Sequence, residues 1–132
     1  MAYLVGVVLA AVVCGFATVV GLDRDRAFYP TITIVIASYY GLFAVMGGST
    51  RALLAESVGI TAFLIISIIG FKRSLWLLVV ALTAHGLFDF VHASVIADPG
   101  VPPWWPPFCL AYDLTTAVYL AVRLRWASVP RG

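Results

Sequence analysis

Charged side chains are scarce in this sequence. Asp, Glu, Lys and Arg make up 11% of its 132 residues, against about 25% in an ordinary soluble domain. Hydrophobic residues make up 63%. A soluble domain of this size leaves roughly a third of its surface in water, and eight basic and six acidic residues cannot cover that surface. We therefore exclude a water-soluble globule and expect the lipid bilayer to be the solvent.

A strong excess of basic residues is also missing. The net charge is +2, and the basic residues stand in short clusters between apolar runs, so no electrostatic footprint for nucleic acid is present. Cysteines are few as well. Cys14 and Cys109 are expected at different depths in the membrane, which excludes a disulfide between them.

Long apolar runs fill the rest of the chain. Each carries at most one charged residue, and they extend over residues 1–22, 27–50, 52–71, 74–97 and 108–122. A helix of about 20 apolar residues crosses the hydrocarbon and satisfies its own backbone. The sequence predicts an all-α fold, a polytopic transmembrane bundle of five helices at about residues 2–22, 29–47, 52–70, 74–97 and 108–126. Residues 1–132 are expected to form a single integral membrane domain. The first run lacks a preceding basic residue, so we expect it to stay as a span rather than be cleaved.

The basic residues predict the orientation. With five spans, seven of the eight share one side: Arg24, Arg26, Lys72, Arg73, Arg123, Arg125 and Arg131. Short basic loops favour the cytoplasm. We therefore expect a multi-pass protein of the cell inner (plasma) membrane with the N-terminus outside and the C-terminus in the cytoplasm.

Prolines are concentrated in the predicted outer connection between Asp98 and Phe108. Proline cannot continue a helix and stiffens the chain into extended segments. Trp104 and Trp105 in this connection favour an interfacial position. The connection is expected either to anchor the interface or to shape an entrance at the outer mouth.

Five ionisable residues within the spans are the most informative ones. They are Glu56, His85, Asp89, His92 and Asp113. At 1.5 Å per residue, four of them lie about 6 to 12 Å below the outer boundary and His85 lies about 18 Å below it. An ionisable group at such depth normally faces a partner or a cavity. The shared depth predicts a cluster in the outer half of the bilayer.

The fourth helix sharpens this prediction. His85, Asp89 and His92 stand at i, i+4 and i+7 and share a stripe about 60° wide. Asp89 and His92 also repeat the carboxylate-x-x-histidine step by which helical bundles hold a metal. The stripe is expected to face the bundle interior, toward Glu56 and Asp113.

Three interpretations of this cluster remain open. The first is a metal site for a divalent ion, zinc or iron, with Asp89, His92, Glu56 and Asp113 as ligands. In it His85 supports a ligand or acts as general base, and the catalytic residues are His85, Asp89 and Glu56. The second is a metal-free acid–base site. The third is a buried hydrogen-bond network that holds the helices together.

Weaker signals complete the expected site. Tyr40, Cys109 and Tyr112 are candidates for a substrate pocket. We expect no heme, because the two histidines share one helix face and cannot oppose each other across an iron, and no nucleotide. Small residues at Ala10, Cys14 and Thr18 permit close helix approach and a homo-oligomer.

The sequence resembles an uncharacterised family of small bacterial integral membrane proteins, grouped as a domain of unknown function. The resemblance runs from about Phe28 to Tyr119 and rests on the following segments: Ala37-Ser-Tyr-Tyr-Gly41, Glu56, His85-Gly-Leu-Phe-Asp-Phe-Val-His92 and Cys109-Leu-Ala-Tyr-Asp113. The resemblance implies that members of the family share the spacing His-x3-Asp-x2-His in the fourth helix and Cys-x3-Asp in the last helix. The chain departs from that pattern by carrying Ala93 where a further histidine is frequent and Tyr112 where a cysteine is usual.

These observations lead to one expected function and its alternatives. We expect a membrane-embedded metal-dependent enzyme that acts on a small apolar or lipid substrate at a polar pocket in the outer half of the bilayer. The alternatives are a metal-free acid–base isomerase or cyclase, a non-enzymatic proton or metal-ion carrier, and an accessory membrane subunit. The expected partners are membrane lipids and a second copy of the chain, with no nucleic acid.

Overall fold

The computed structural model describes residues 1–127. Over that range the chain is all-helical, with five helices: α1 (Ala2–Val20), α2 (Phe28–Met46), α3 (Thr50–Lys72), α4 (Trp76–Val95) and α5 (Trp105–Ala127). The predicted all-α fold with five helices is confirmed. In the described part of the chain, α1 to α4 are long and apolar enough to cross a membrane. α5, with 23 residues, is not among these helices, so its crossing stays a prediction.

Local chemistry explains where the helices begin and end. Gly21 follows α1 in the left-handed region, at φ 92°, and donates its N–H to the carbonyl of Ala17. A residue with a side chain rarely adopts this backbone, and glycine ends the helix there without strain. Ser49 precedes α3 and accepts a hydrogen bond from the N–H of Ala52, which satisfies one of the free donors of the first turn.

The start of α5 differs from the prediction. The helix begins at Trp105 rather than at residue 108, because Pro106 and Pro107 fall in its first turn. The backbone N–H groups of a first turn have no partner inside the helix, so proline is tolerated there. The earlier start places Asp113 about 4.5 Å deeper along the helix than expected.

α4 lies at the centre of the bundle, because it contacts α2, α3 and α5. α5 also packs against α1, and α2 packs on α3. The core joins three helices through Tyr40 and Phe43 of α2, Leu82 of α4, and Trp105 and Cys109 of α5. Large apolar side chains on the outer faces of α1 and α3 are exposed, among them Leu4, Phe16, Leu54 and Val58. Such a surface fits hydrocarbon rather than water.

The small residues of α1 pack against another helix of the same chain. Gly6, Ala10, Cys14 and Ala17 are buried, and a side chain at Gly6 would collide with the Phe108 carbonyl of α5. This close approach gives α1 and α5 their extensive contact. The predicted small-residue stripe is therefore covered by α5. The stripe no longer supports a homo-oligomer, which remains a prediction.

Candidate metal centre

Helix α4 presents its three polar residues to the interior. His85, Asp89 and His92 are each at most 2% exposed, so the predicted common stripe faces the bundle. Glu56 on α3 and Asp113 on α5 are equally buried. Every ionisable residue singled out in the spans thus points inward, and the structure sorts them into two neighbouring sets.

The first set, the His85 group, consists of His85, Asp89, Cys109 and Asp113. His85 Nδ1 lies 2.6 Å from Asp113 Oδ2 and 3.5 Å from Asp89 Oδ2. The Cys109 thiol donates to Asp113 Oδ2 at 3.8 Å. One donor atom from each of the four residues falls within 4.8 Å of all the others. Two helices, α4 and α5, build this group.

The second set, the His92 pair, consists of His92 and Glu56. His92 Nε2 lies 2.6 Å from Glu56 Oε1. The imidazole also stacks on the ring of Tyr40, with centroids 4.0 Å apart and planes 14° from parallel. One ring nitrogen and one flat face of the imidazole are therefore occupied, and these contacts join α4 to α3 and α2.

Tyr40 connects the two sets. Its ring covers His92, and its hydroxyl donates a hydrogen bond to Asp89 Oδ1. Tyr40 borders a cavity of about 10 Å³ together with Glu56 and His85, so it is an interior link rather than part of a roomy pocket. Its hydroxyl holds the Asp89 carboxylate in one orientation.

Charge in this region is unbalanced. Three carboxylates, those of Glu56, Asp89 and Asp113, face two imidazoles. Within the part of the chain that the structure describes, the ion pairs of these carboxylates involve His85 and His92 alone. Even with both imidazoles protonated, one negative charge is left, and an uncompensated charge in a buried site is strongly unfavourable. An additional cation, either a proton or a metal ion, would neutralise this charge.

The His85 group fits a metal ion. Asp89 Oδ2 and Asp113 Oδ1 are buried and make no hydrogen bond to the described residues. Each carboxylate therefore has one oxygen free to coordinate a metal ion. Imidazole, thiolate and carboxylate bind zinc at about 2.0 to 2.3 Å, which places neighbouring donors about 3 to 4 Å apart. The separations of 3.5 and 3.8 Å already lie in that range, whereas the 2.6 Å between His85 Nδ1 and Asp113 Oδ2 is a hydrogen-bond distance that metal binding would lengthen.

The candidate ligand set that this geometry suggests differs from the predicted one. The His85 group contains Asp89 and Asp113, as expected, but its other donors are His85 and Cys109, while His92 and Glu56 bond to each other. The physical reason is the depth of Asp113. The earlier start of α5 moves Asp113 toward the depth of His85, and Asp113 Oδ2 lies 2.6 Å from His85 Nδ1.

An apolar cleft, the Cys109 cleft, reaches the His85 group from one side. It has a volume of about 300 Å³ and lies between α1, α2 and α5, with Cys109 and Tyr112 among its lining residues. Both were predicted as pocket residues. Val35 and Leu9 line it and are about half exposed, so the cleft is open at the surface of the bundle. Trp105 lines its wall and packs on Phe43, so this part of the proline-bearing region helps to shape the opening.

Asp23 is a further buried polar residue, and it lies outside the set that the sequence singled out. Its side chain is 1% exposed. Asp23 Oδ2 accepts hydrogen bonds from Thr18 and Tyr29 and lies 3.4 Å from Arg123 Nε. These partners come from α1, α2 and α5, so no local sequence signal could identify the contact.

Comparison with known proteins adds no further assignment. No protein-family model, no curated protein and no solved structure matches the chain.

Proposed function

We propose that this protein is an integral membrane, metal-dependent enzyme that acts on a small apolar or lipid substrate. One observation carries the proposal. Four metal-binding side chains converge within 4.8 Å in a buried site, and one of them, Cys109, also lines an open apolar cleft. Buried donors beside an apolar entrance suit a substrate that partitions into lipid.

His85, Asp89, Cys109 and Asp113 would hold the metal, zinc or iron by donor type. When bound, such an ion supplies a Lewis acid that polarises a carbonyl or activates water. Cys109 belongs to the His85 group and also lines the Cys109 cleft. That chemistry would therefore take place at the inner wall of the cleft.

The chain's own residues prepare the site in distinct ways. Tyr40 orients Asp89 through its hydroxyl. His85 Nδ1 and Asp113 Oδ2, 2.6 Å apart, share a proton that they would give up on holding the metal. Phe63 lies edge-on to the His85 ring, with centroids 4.8 Å apart, and limits water on that side. Glu56, predicted to be catalytic, instead anchors His92.

The proposal includes the predicted orientation, with all five helices crossing the plasma membrane, the N-terminus outside and the C-terminus cytoplasmic. Contacts among the basic segments support it. Arg26 donates from Nε to the Phe71 carbonyl at 2.8 Å, beside Lys72 and Arg73, and Arg123 pairs with Asp23. These basic segments therefore share one end of the bundle, as the positive-inside rule requires. Membership in the small bacterial membrane protein family stays a prediction.

The direct test is the metal content of the full chain. Detergent-purified protein, loaded with zinc or ferrous iron and freed of excess ion, is expected to hold about one ion per chain by elemental mass spectrometry, because four donors define one site. Less than about one tenth of an ion per chain after loading with either metal would overturn the metal-dependent assignment.

The cleft makes a separate prediction. Benzophenone, an apolar ketone that crosslinks on irradiation, is expected to form adducts on the cleft-lining parts of α2 and α5 at least about fivefold more often than on α3. Val35→Trp fills the cleft mouth and is expected to lower those adducts by a similar factor, with metal content unchanged. Peptide mass spectrometry locates the adducts. Equal labelling of exposed Leu54 and Val58 on α3 would show that the cleft binds no apolar ligand.

A metal-free acid–base isomerase or cyclase is the second candidate. It is favoured by two histidine–carboxylate contacts of 2.6 Å that are complete without any ion. In this case the additional cation is a proton shared among the carboxylates. A chain that binds no metal but still binds benzophenone in the cleft would support this candidate over the first.

A further inference from the structure

A second cavity, which is lined by charged residues, lies at the other end of the bundle, remote from the His85 group. It has a volume of about 380 Å³ and is bordered by the α1–α2 connection, the start of α4 and the end of α5. Its polar lining includes Arg24, Arg26, Arg123 and Asp23, and its apolar lining includes Leu120 and Trp126. A cavity with a basic rim and an apolar wall matches a molecule with a charged head and a hydrocarbon tail.

The two acidic residues at this cavity are already engaged by the chain. Asp25 Oδ1 accepts from the N–H of Ala27, and Asp23 Oδ2 accepts from Thr18 and Tyr29. Asp23 Oδ1 differs. It is buried, lies on a residue that lines the cavity, and has no hydrogen-bond partner among residues 1–127. A buried acceptor of this kind requires a donor.

The charges of the lining residues define the ligand further. Three arginines and two aspartates leave one positive charge at the cavity. Arg26 is held by the carbonyls of Phe71 and Gly70, and Arg123 has its Nε near Asp23. Arg24 and the terminal nitrogens of Arg123 are therefore the groups placed to bind one phosphodiester.

We propose that this cavity binds the headgroup of a membrane phospholipid. Its phosphate lies at Arg24 and Arg123, and an N–H or O–H of the headgroup donates to Asp23 Oδ1. Ethanolamine and glycerol headgroups carry such a donor, and choline does not. The site therefore selects phosphatidylethanolamine and phosphatidylglycerol against phosphatidylcholine. This inference is independent of the proposed metal chemistry.

Native mass spectrometry of the full, delipidated chain with each lipid added back tests the proposal. Phosphatidylethanolamine and phosphatidylglycerol are expected to bind at least about tenfold more than phosphatidylcholine, and Arg24→Ala is expected to lower their binding by about the same factor. Arg51→Ala, an exposed arginine at the opposite end, is the matched control and is expected to leave binding unchanged. Arg24 lies in an exposed connection, so its replacement is expected to leave the fold intact.

Four outcomes would overturn the proposal. Equal binding of phosphatidylcholine would show that Asp23 selects no donor. Equal loss in Arg51→Ala would show general charge attraction to lipid. Undiminished binding in Arg24→Ala would place the lipid elsewhere. Displacement of the lipid by glycerophosphoethanolamine, which has no acyl chains, at equal concentration would identify a site for soluble phosphates instead.

Discussion

Replacement of Asp113 by asparagine is expected to lower the bound metal by at least about tenfold. Asp113 Oδ2 contacts both His85 and Cys109, so it lies at the centre of the donor group. Asparagine keeps the size of the side chain but removes its negative charge, and an amide is a much weaker ligand for zinc or iron. Elemental mass spectrometry of monodisperse protein measures the result.

Glu56→Gln is the matched control for this experiment. It makes the same chemical change on a carboxylate of equal burial, but in the His92 pair rather than in the His85 group. Metal content is expected to stay near that of the unaltered chain. Loss of metal in both variants would instead support the ligand set predicted from sequence alone, which includes Glu56, His92 and Asp113.

Removal of one partner of the His92 pair is expected to destabilise the fold strongly, whereas removal of both partners is not. His92→Phe keeps an aromatic ring against Tyr40 and leaves the Glu56 carboxylate buried without its partner. The expected loss is about 3 to 5 kcal/mol in the free energy of unfolding. The double change His92→Phe with Glu56→Met removes both polar groups at similar volume and is expected to lie within about 1 kcal/mol of the unaltered chain.

Unfolding in mixed micelles by a denaturing detergent measures both variants. The double variant is also expected to keep its metal, because its changes lie outside the His85 group. A double variant as unstable as His92→Phe would show that Glu56 has a further essential contact. A stable double variant without metal would show that the two sets act as one site.

Much of the candidate site could be predicted from residue spacing. The i, i+4, i+7 stripe on α4 faces inward, and the two carboxylates of other helices meet it, as expected. The partners within the cluster could not be predicted. A depth error of a few residues, caused by two prolines inside the first turn of α5, exchanged His92 for His85 as the neighbour of Asp113. Cys109, which was predicted as a pocket residue, stands one turn before Asp113 and faces the same group.

The sequence by itself determined that the chain is helical and that lipid is the expected surroundings of the helices. Apolar runs of spanning length must satisfy their backbone internally, so the five helices follow from local composition alone. Only the tertiary structure decided which polar groups meet. That choice depends on the rotation and depth of each helix against its neighbours, which distant contacts set, such as Gly6 of α1 against Phe108 of α5 and Asp23 between Thr18, Tyr29 and Arg123. Such contacts join residues far apart in the chain, and no local pattern records them.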